Sequence, residues 1–187
     1  MPLLRALKRP NLSVDVRARL MALRDAMEAG SVETLAPLLL GETDPFVRET
    51  ALTYLARLDG AFPGEALIRL MREGDTALRN GAIETLGSLG ERAVDALAPL
   101  ILDAGADTDA RIYALTALAL VASSRAAKLA LDVALTDADV NICAAAVDVV
   151  AQSGVRAMAA ALDRVAARFP ERPFLAFAAG AAQHRLG

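Results

Sequence analysis

Arg17, Arg48, Arg79, Arg111, Asn141 and Arg172 recur along the chain at intervals of 30 to 32 residues, a regularity that only an internally repeated chain keeps. Around four of these positions one phrase returns: Asp44-Pro45-Phe46-Val47-Arg48, Asp75 to Arg79, Asp107 to Arg111 and Asp137 to Asn141. Alanine follows three residues later each time, as Ala51, Ala82, Ala114 and Ala144. Repeated units bury their apolar faces against one another and leave extended surfaces, which bind partners more often than they transform them.

Within each period the apolar residues return at helical spacing. Leu35, Leu38 and Leu39 are followed by Val47, Ala51, Leu52, Leu55 and Leu58. Leu67, Leu70 and Met71 precede Leu78, Ala82, Ile83, Leu86 and Leu89, and the next period repeats the pattern from Leu97 to Val121. Each unit therefore reads as two helices, and the fold class as all-α. The 55% hydrophobic content supplies a continuous core, so disorder is not expected.

The unit boundaries carry their own chemistry. Gly30, Gly60, Gly90 and Gly154 fall where the second helix of a unit needs a left-handed C-terminal cap. Asp44, Asp75, Asp107 and Asp137 stand where a carboxylate can accept the orphan N–H groups of a helix start. Pro45 then occupies the first turn, which tolerates it. The ladder of Asp44, Arg48, Asp75, Arg79, Asp107, Arg111, Asp137 and Asn141 is read as structural, each Arg bridging to the Asp of a neighbouring unit. A row of arginines could instead bind an acidic ligand. The fixed Asp–Arg offset argues against it, because the pairs neutralise themselves.

These residues resemble HEAT-like repeats, specifically the short bacterial type of about 31 residues seen in phycobilisome lyases. The phrase D-P-x-V-R followed by A-x-x-x-L stands here as Asp44, Pro45, Val47, Arg48, Ala51 and Leu55. The linker G-x-R-A-V-x-x-L stands as Gly90, Arg92, Ala93, Val94 and Leu97. The resemblance covers residues 13–187. It implies a right-handed α-solenoid of five to six antiparallel helix pairs, with the second helices lining a concave side. On this reading 1–187 is a single domain, 1–12 its N-terminal cap and 155–187 a C-terminal capping repeat. Asn141 in place of Arg, and Asp148 where other units have Leu55, Leu86 and Leu118, mark the fifth unit as a departure.

The enzymes of this architecture fit poorly. Deoxyhypusine hydroxylase holds two irons with several His–Glu pairs, whereas this chain has one histidine, His184. Alkylpurine DNA glycosylases use a basic channel with aromatic platforms, whereas aromatic residues are 4% here, tryptophan is absent and the net charge is -3. No nucleic-acid partner is expected. Cys143, between Ile142 and Ala144, reads as a small buried hydrophobe rather than a nucleophile. In the pairs Asp107 and Asp109, and Asp137 and Asp139, capping accounts for the first member and solvation for the second. No phosphate loop, CxxC pair or hydrolase elbow occurs, so no catalytic, cofactor or metal residue is assigned.

No tract is long and apolar enough to span a bilayer. The stretch Met1–Asp25 lacks the apolar run of a secretory signal, which makes the cytoplasm the expected compartment. The basic amphipathic stretch Pro2–Arg9, stopped by Pro10, reads as the cap of the first repeat.

Aligned on the ladder, the second helices change character along the chain. Glu49, Thr50, Thr53 and Arg57, then Asn80, Glu84, Thr85 and Ser88, give way to Ile112, Tyr113, Leu120, Ile142, Val147, Val150, Phe174 and Phe177. This apolar stripe is the expected partner site. The chain thus reads as a non-enzymatic scaffold or adaptor docking another protein. The alternative is a bilin lyase-like protein handling a chromophore, and the apolar C-terminal repeats also suit a homodimer.

Overall fold

The computed structural model describes residues 11–60 and 62–187. Among these residues it contains eleven α-helices, a single 3-10 turn at Arg156–Met158, and no strand. The all-α class stands. The proposed cap over Pro2–Arg9 lies outside the described residues.

Packing divides the chain into two compact units, Met1–Leu86 and Gly87–Gly187. The first contains α1 (Val14–Glu28), α2 (Val32–Leu40), α3 (Pro45–Leu55), α4 (Phe62–Glu73) and most of α5 (Thr76–Ser88). In it α1 touches α2 and α3, and α2 touches α4. Side-chain caps set the starts: Ser13, Ser31 and Asp44 accept backbone N–H groups of the first turns of α1, α2 and α3. Leu20, Leu35, Leu39, Leu55, Leu67, Leu70 and Met71 are fully buried. Each such side chain contributes roughly 2 kcal/mol of transfer free energy.

The second unit contains α6 (Glu91–Leu102), α7 (Thr108–Ala119), α8 (Ser124–Thr136), α9 (Val140–Gln152), α10 (Ala159–Ala167) and α11 (Pro173–Leu186). Here each helix touches the next but one: α6 with α8, α7 with α9, α8 with α10, and α9 with α11. The even helices thus form one row and the odd helices a second, joined by contacts such as α6–α7 and α8–α9. Fully buried alanines, Ala114, Ala127, Ala130 and Ala146, let the rows approach closely.

The boundary glycines behave as their positions imply, with φ of 64°, 84°, 61° and 70° at Gly30, Gly60, Gly90 and Gly154. A fifth boundary breaks the series. Ala122, after α7, adopts φ of 48°, a left-handed conformation that its Cβ disfavours.

Candidate interaction surface

The ladder residues are positioned by the first turn of the second helices. The N–H of Arg48 donates to Asp44 O at 3.1 Å, that of Arg79 to Asp75 O at 2.8 Å, and that of Arg111 to Asp107 O at 3.1 Å. The side chain four residues after each cap is thereby aimed back at the end of the preceding helix. Arg48 Nε donates to Glu42 O at 2.5 Å, Arg79 Nε to Met71 O at 3.2 Å, and Arg111 Nε to Ile101 O at 3.0 Å. Those carbonyls have no intrahelical partner, so the guanidinium satisfies them.

The same groups reach forward to the next repeat. Arg48 binds Asp75 through two parallel hydrogen bonds of 3.1 and 2.8 Å. Hydrogen bonding to Arg48, aided by the Leu78 N–H, holds the Asp75 carboxyl below the usual carboxylate value. Arg111, buried, pairs with Asp137. Partial burial pushes the Asp137 carboxyl up, but hydrogen bonds from Arg111 and the Asp139 N–H, with the charges of Arg111 and Arg168, outweigh it and hold the carboxyl low. These two ion pairs each join one Asp–Arg phrase to the next.

In the fifth repeat the expected register is wrong by two residues. The helix cap is Asp139, whose carboxylate accepts the Asn141 N–H at 2.8 Å, while Asp137 ends α8 and serves Arg111. The residue four after this cap is Cys143, and its N–H donates to Asp139 O at 3.0 Å. Asn141 therefore is not the ladder residue; it is exposed. Nor is Asp148 the counterpart of Leu118. Val150 is, and it is buried. The Cys143 thiol reaches only Asp137 O at the end of α8, donating at 3.4 Å. Arg168, just after α10, supplies the guanidinium, donating to Ala134 O at 2.6 Å and Asp137 O at 2.5 Å. Its guanidinium also lies 3.3 Å from Cys143 Sγ and over the Phe169 ring. Burial raises the Cys143 thiol pKa despite the nearby charge, consistent with an inert side chain.

This slip dismantles the centre of the apolar stripe. Ile142, Val147 and Val150 are 0%, 1% and 0% exposed. In the corrected register they match Ala110, Leu115 and Leu118, all core positions, and α9 packs on α7, α8 and α11. They are not available to a partner. Ile112 and Tyr113 are half-buried, whereas Leu120, Phe174 and Phe177 are 50%, 44% and 79% exposed.

The surface positions of the odd helices follow from the same frame. On α7 and its C-cap they are Ile112, Tyr113, Thr116 and Leu120; on the adjacent α9 they are Ala144, Ala145, Asp148 and Gln152. Large apolar groups on α7 thus hold the places that small ones hold on α9, where Asp148 and Gln152 are joined by a 2.9 Å hydrogen bond. Leu120 packs over Gly87, where a Cβ would lie 2.5 Å from Leu120 Cβ. In the first unit Glu49, Thr53 and Arg57 are exposed and Thr50 is buried.

Sequence reasoning missed Arg168, Asp139 and Ala122. The Phe46 phrase offered a signal for the last repeat: Pro173-Phe174-Leu175 copies Pro45-Phe46-Val47, which puts Ala176, not Arg172, at the ladder position. Among the described residues, no group of three or more His, Cys, Asp or Glu is placed to hold a metal ion, and no helix is long and apolar enough to cross a membrane. No protein-family model matches the chain, and no curated protein matches it.

Proposed function

We propose that the chain is a HEAT-like repeat protein, its helix pairs arranged as a right-handed α-solenoid, that works as a non-enzymatic scaffold for another protein. The observation that carries this reading is the α7–α9 surface of the second unit. Ile112, Tyr113 and Leu120 keep apolar area in solvent at the places that the small Ala144 and Ala145 and the polar Gln152 hold on the adjacent α9. Apolar area of this kind suits the ridge of a partner helix or loop. Asp148 would orient the partner by charge at the margin. The ladder supports the same reading, because Arg48 with Asp75 and Arg111 with Asp137 are engaged in joining one repeat to the next.

The test compares wild type with a Tyr113→Glu/Leu120→Glu variant, shown folded by circular dichroism, as bait in cell lysate with captured proteins identified by mass spectrometry. A protein retained by wild type and lost from the folded variant supports docking on α7–α9. Equal capture by both would move the site to the polar positions around Glu49, Asn80 and Glu84.

A further inference from the structure

The two helices that carry the candidate surface bear charge of one sign. Outward positions on one face of α7 and its C-cap are Asp109, Ile112, Tyr113, Thr116 and Leu120, at helical spacings of three and four residues. The same places on α9 are Asn141, Ala144, Ala145, Asp148 and Gln152. Asp109 and Asp148 are the only exposed charged side chains on these helices, since Arg111 is buried and paired with Asp137. The even row differs. Exposed cations lie on α6 (Arg92), α8 (Arg125 and Lys128) and α10 (Arg164), interspersed with carboxylates, and Arg125 pairs with Asp95 across α6 and α8.

The two outward carboxylates have different local warrants. Asp109 stands in the first turn of α7, where the helix dipole favours a negative charge. Asp148 stands in the C-terminal half of α9, where the dipole disfavours one, and aspartate is a poor helix former at any interior position. Among the described residues neither carboxylate has an ion-pair partner; the Asp148 side chain accepts from Gln152 Nε2 at 2.9 Å. Asp148 thus works against its own helix without a cation to offset it. A cation on a docked partner supplies what the chain itself does not.

We infer that the partner of the α7–α9 surface is a cationic amphipathic helix, whose apolar residues cover Ile112, Tyr113 and Leu120 while flanking Lys or Arg side chains meet Asp109 and Asp148. Asp109 and Leu120 are eleven residues apart, about 16 Å along α7, a length that three turns of a partner helix cover. Anchors recurring at i, i+3 or i+4, and i+7 on such a helix match that span. Lys and Arg lay their aliphatic stems on apolar surface while their charged ends reach a carboxylate beyond it. A surface with one sign of charge also steers a cationic helix inward and repels an acidic helix, an anionic lipid surface or nucleic acid. The inference rests on the α7–α9 scaffold reading and adds to it the chemistry of what is docked.

Selection from a displayed library of amphipathic helical peptides tests this, with leucine on one face, Lys, Gln or Glu varied at the flanking positions, and the full chain as bait. A parallel selection on Tyr113→Ala/Leu120→Ala, shown folded by circular dichroism, removes apolar area without altering charge and so marks the peptides that use this surface. Those peptides are expected to be enriched in Lys. The tightest should bind Asp109→Asn/Asp148→Asn about 10-fold more weakly at low salt, and Asp109→Lys/Asp148→Lys should turn the selection toward Glu. Peptides that need Tyr113 and Leu120 but show no excess of Lys, or that bind the Asn variant as well as wild type, overturn this inference and leave the scaffold reading standing. If no peptide needs Tyr113 and Leu120, both fall.

Discussion

The repeat that ends in α7 and the repeat that ends in α9 solve one problem with different residues. Both must satisfy the carbonyls at the end of a first helix while the next helix starts alongside. In the first, Arg111 does this from within its own repeat and binds Asp137 of the next. In the second, Cys143 holds the ladder position and Arg168 supplies the guanidinium from the following repeat. What is kept between repeats is the carbonyl-capping cation and not its place in the chain.

Removing each cation should break this comparison most severely. Arg111→Ala strips a buried guanidinium from Ile101 O and leaves Asp137 without its ion partner. A loss of about 3 kcal/mol is expected in denaturant unfolding, the low end for breaking a buried pair because Asp137 keeps the Asp139 N–H. Arg168→Ala uncovers Ala134 O, leaves Asp137 O with only the weak Cys143 thiol donor, and breaks no ion pair, so about 2 kcal/mol is expected. Equal or reversed losses would mean that the forward pair with Asp137 contributes little beyond carbonyl capping.

Acid should separate the two repeats next. The Asp137 carboxyl is held below its ordinary value of 3.8 in the fold. Its stabilising contribution is therefore fully present above that value and is lost as pH falls through the lower, folded one. Stability measured below about pH 4 should fall less steeply in Asp137→Asn than in wild type. Arg111→Ala should show the same flattening, and Arg168→Ala a smaller one, since Arg168 acts on Asp137 through its charge rather than through a carboxylate hydrogen bond. Identical pH profiles for all four proteins would remove Asp137 from the acid response.

The two-residue slip is the finest structural difference between the repeats, and single substitutions resolve it. Asp139→Ala deletes the cap of α9 and should cost about 1 kcal/mol. Asn141→Ala, at an exposed position with its backbone alone engaged, should change stability by less than about 0.5 kcal/mol. The reverse order would restore Asn141 as the ladder residue.

Helix class, period and boundary glycines were legible because each depends on local chemistry: apolar spacing, capping oxygens and φ > 0. The stripe was not. Two aspartates, Asp137 and Asp139, both satisfy the local rule for a cap, and only the tertiary demand of Arg111 for Asp137 decides between them. A choice made on local grounds shifts every later assignment on α9 by two residues, enough to carry Ile142, Val147 and Val150 from surface to core. Arg168 was illegible for a related reason, since it compensates for a residue 25 positions away in the chain.

The smallest expected effect concerns the boundary where α7 ends. The other boundary turns named above place glycine in the left-handed region, as at Gly90 with φ of 61°, whereas this one places Ala122 there at 48°. An L-residue in that region is strained by about 1–2 kcal/mol. Glycine removes the strain but adds about 0.5–1 kcal/mol of unfolded-chain entropy to be lost on folding. Ala122 is exposed, so its methyl group contributes little packing to set against the exchange. The balance favours glycine, and Ala122→Gly should stabilise the fold by about 0.5 kcal/mol, raising Tm by roughly 1–2 °C. The same change at Ala145, an alanine within α9, should lower stability by about 1 kcal/mol. Opposite signs at the two sites would tie the gain to the left-handed conformation at the end of α7; a loss at both would mean that Ala122 adopts an unstrained backbone in solution.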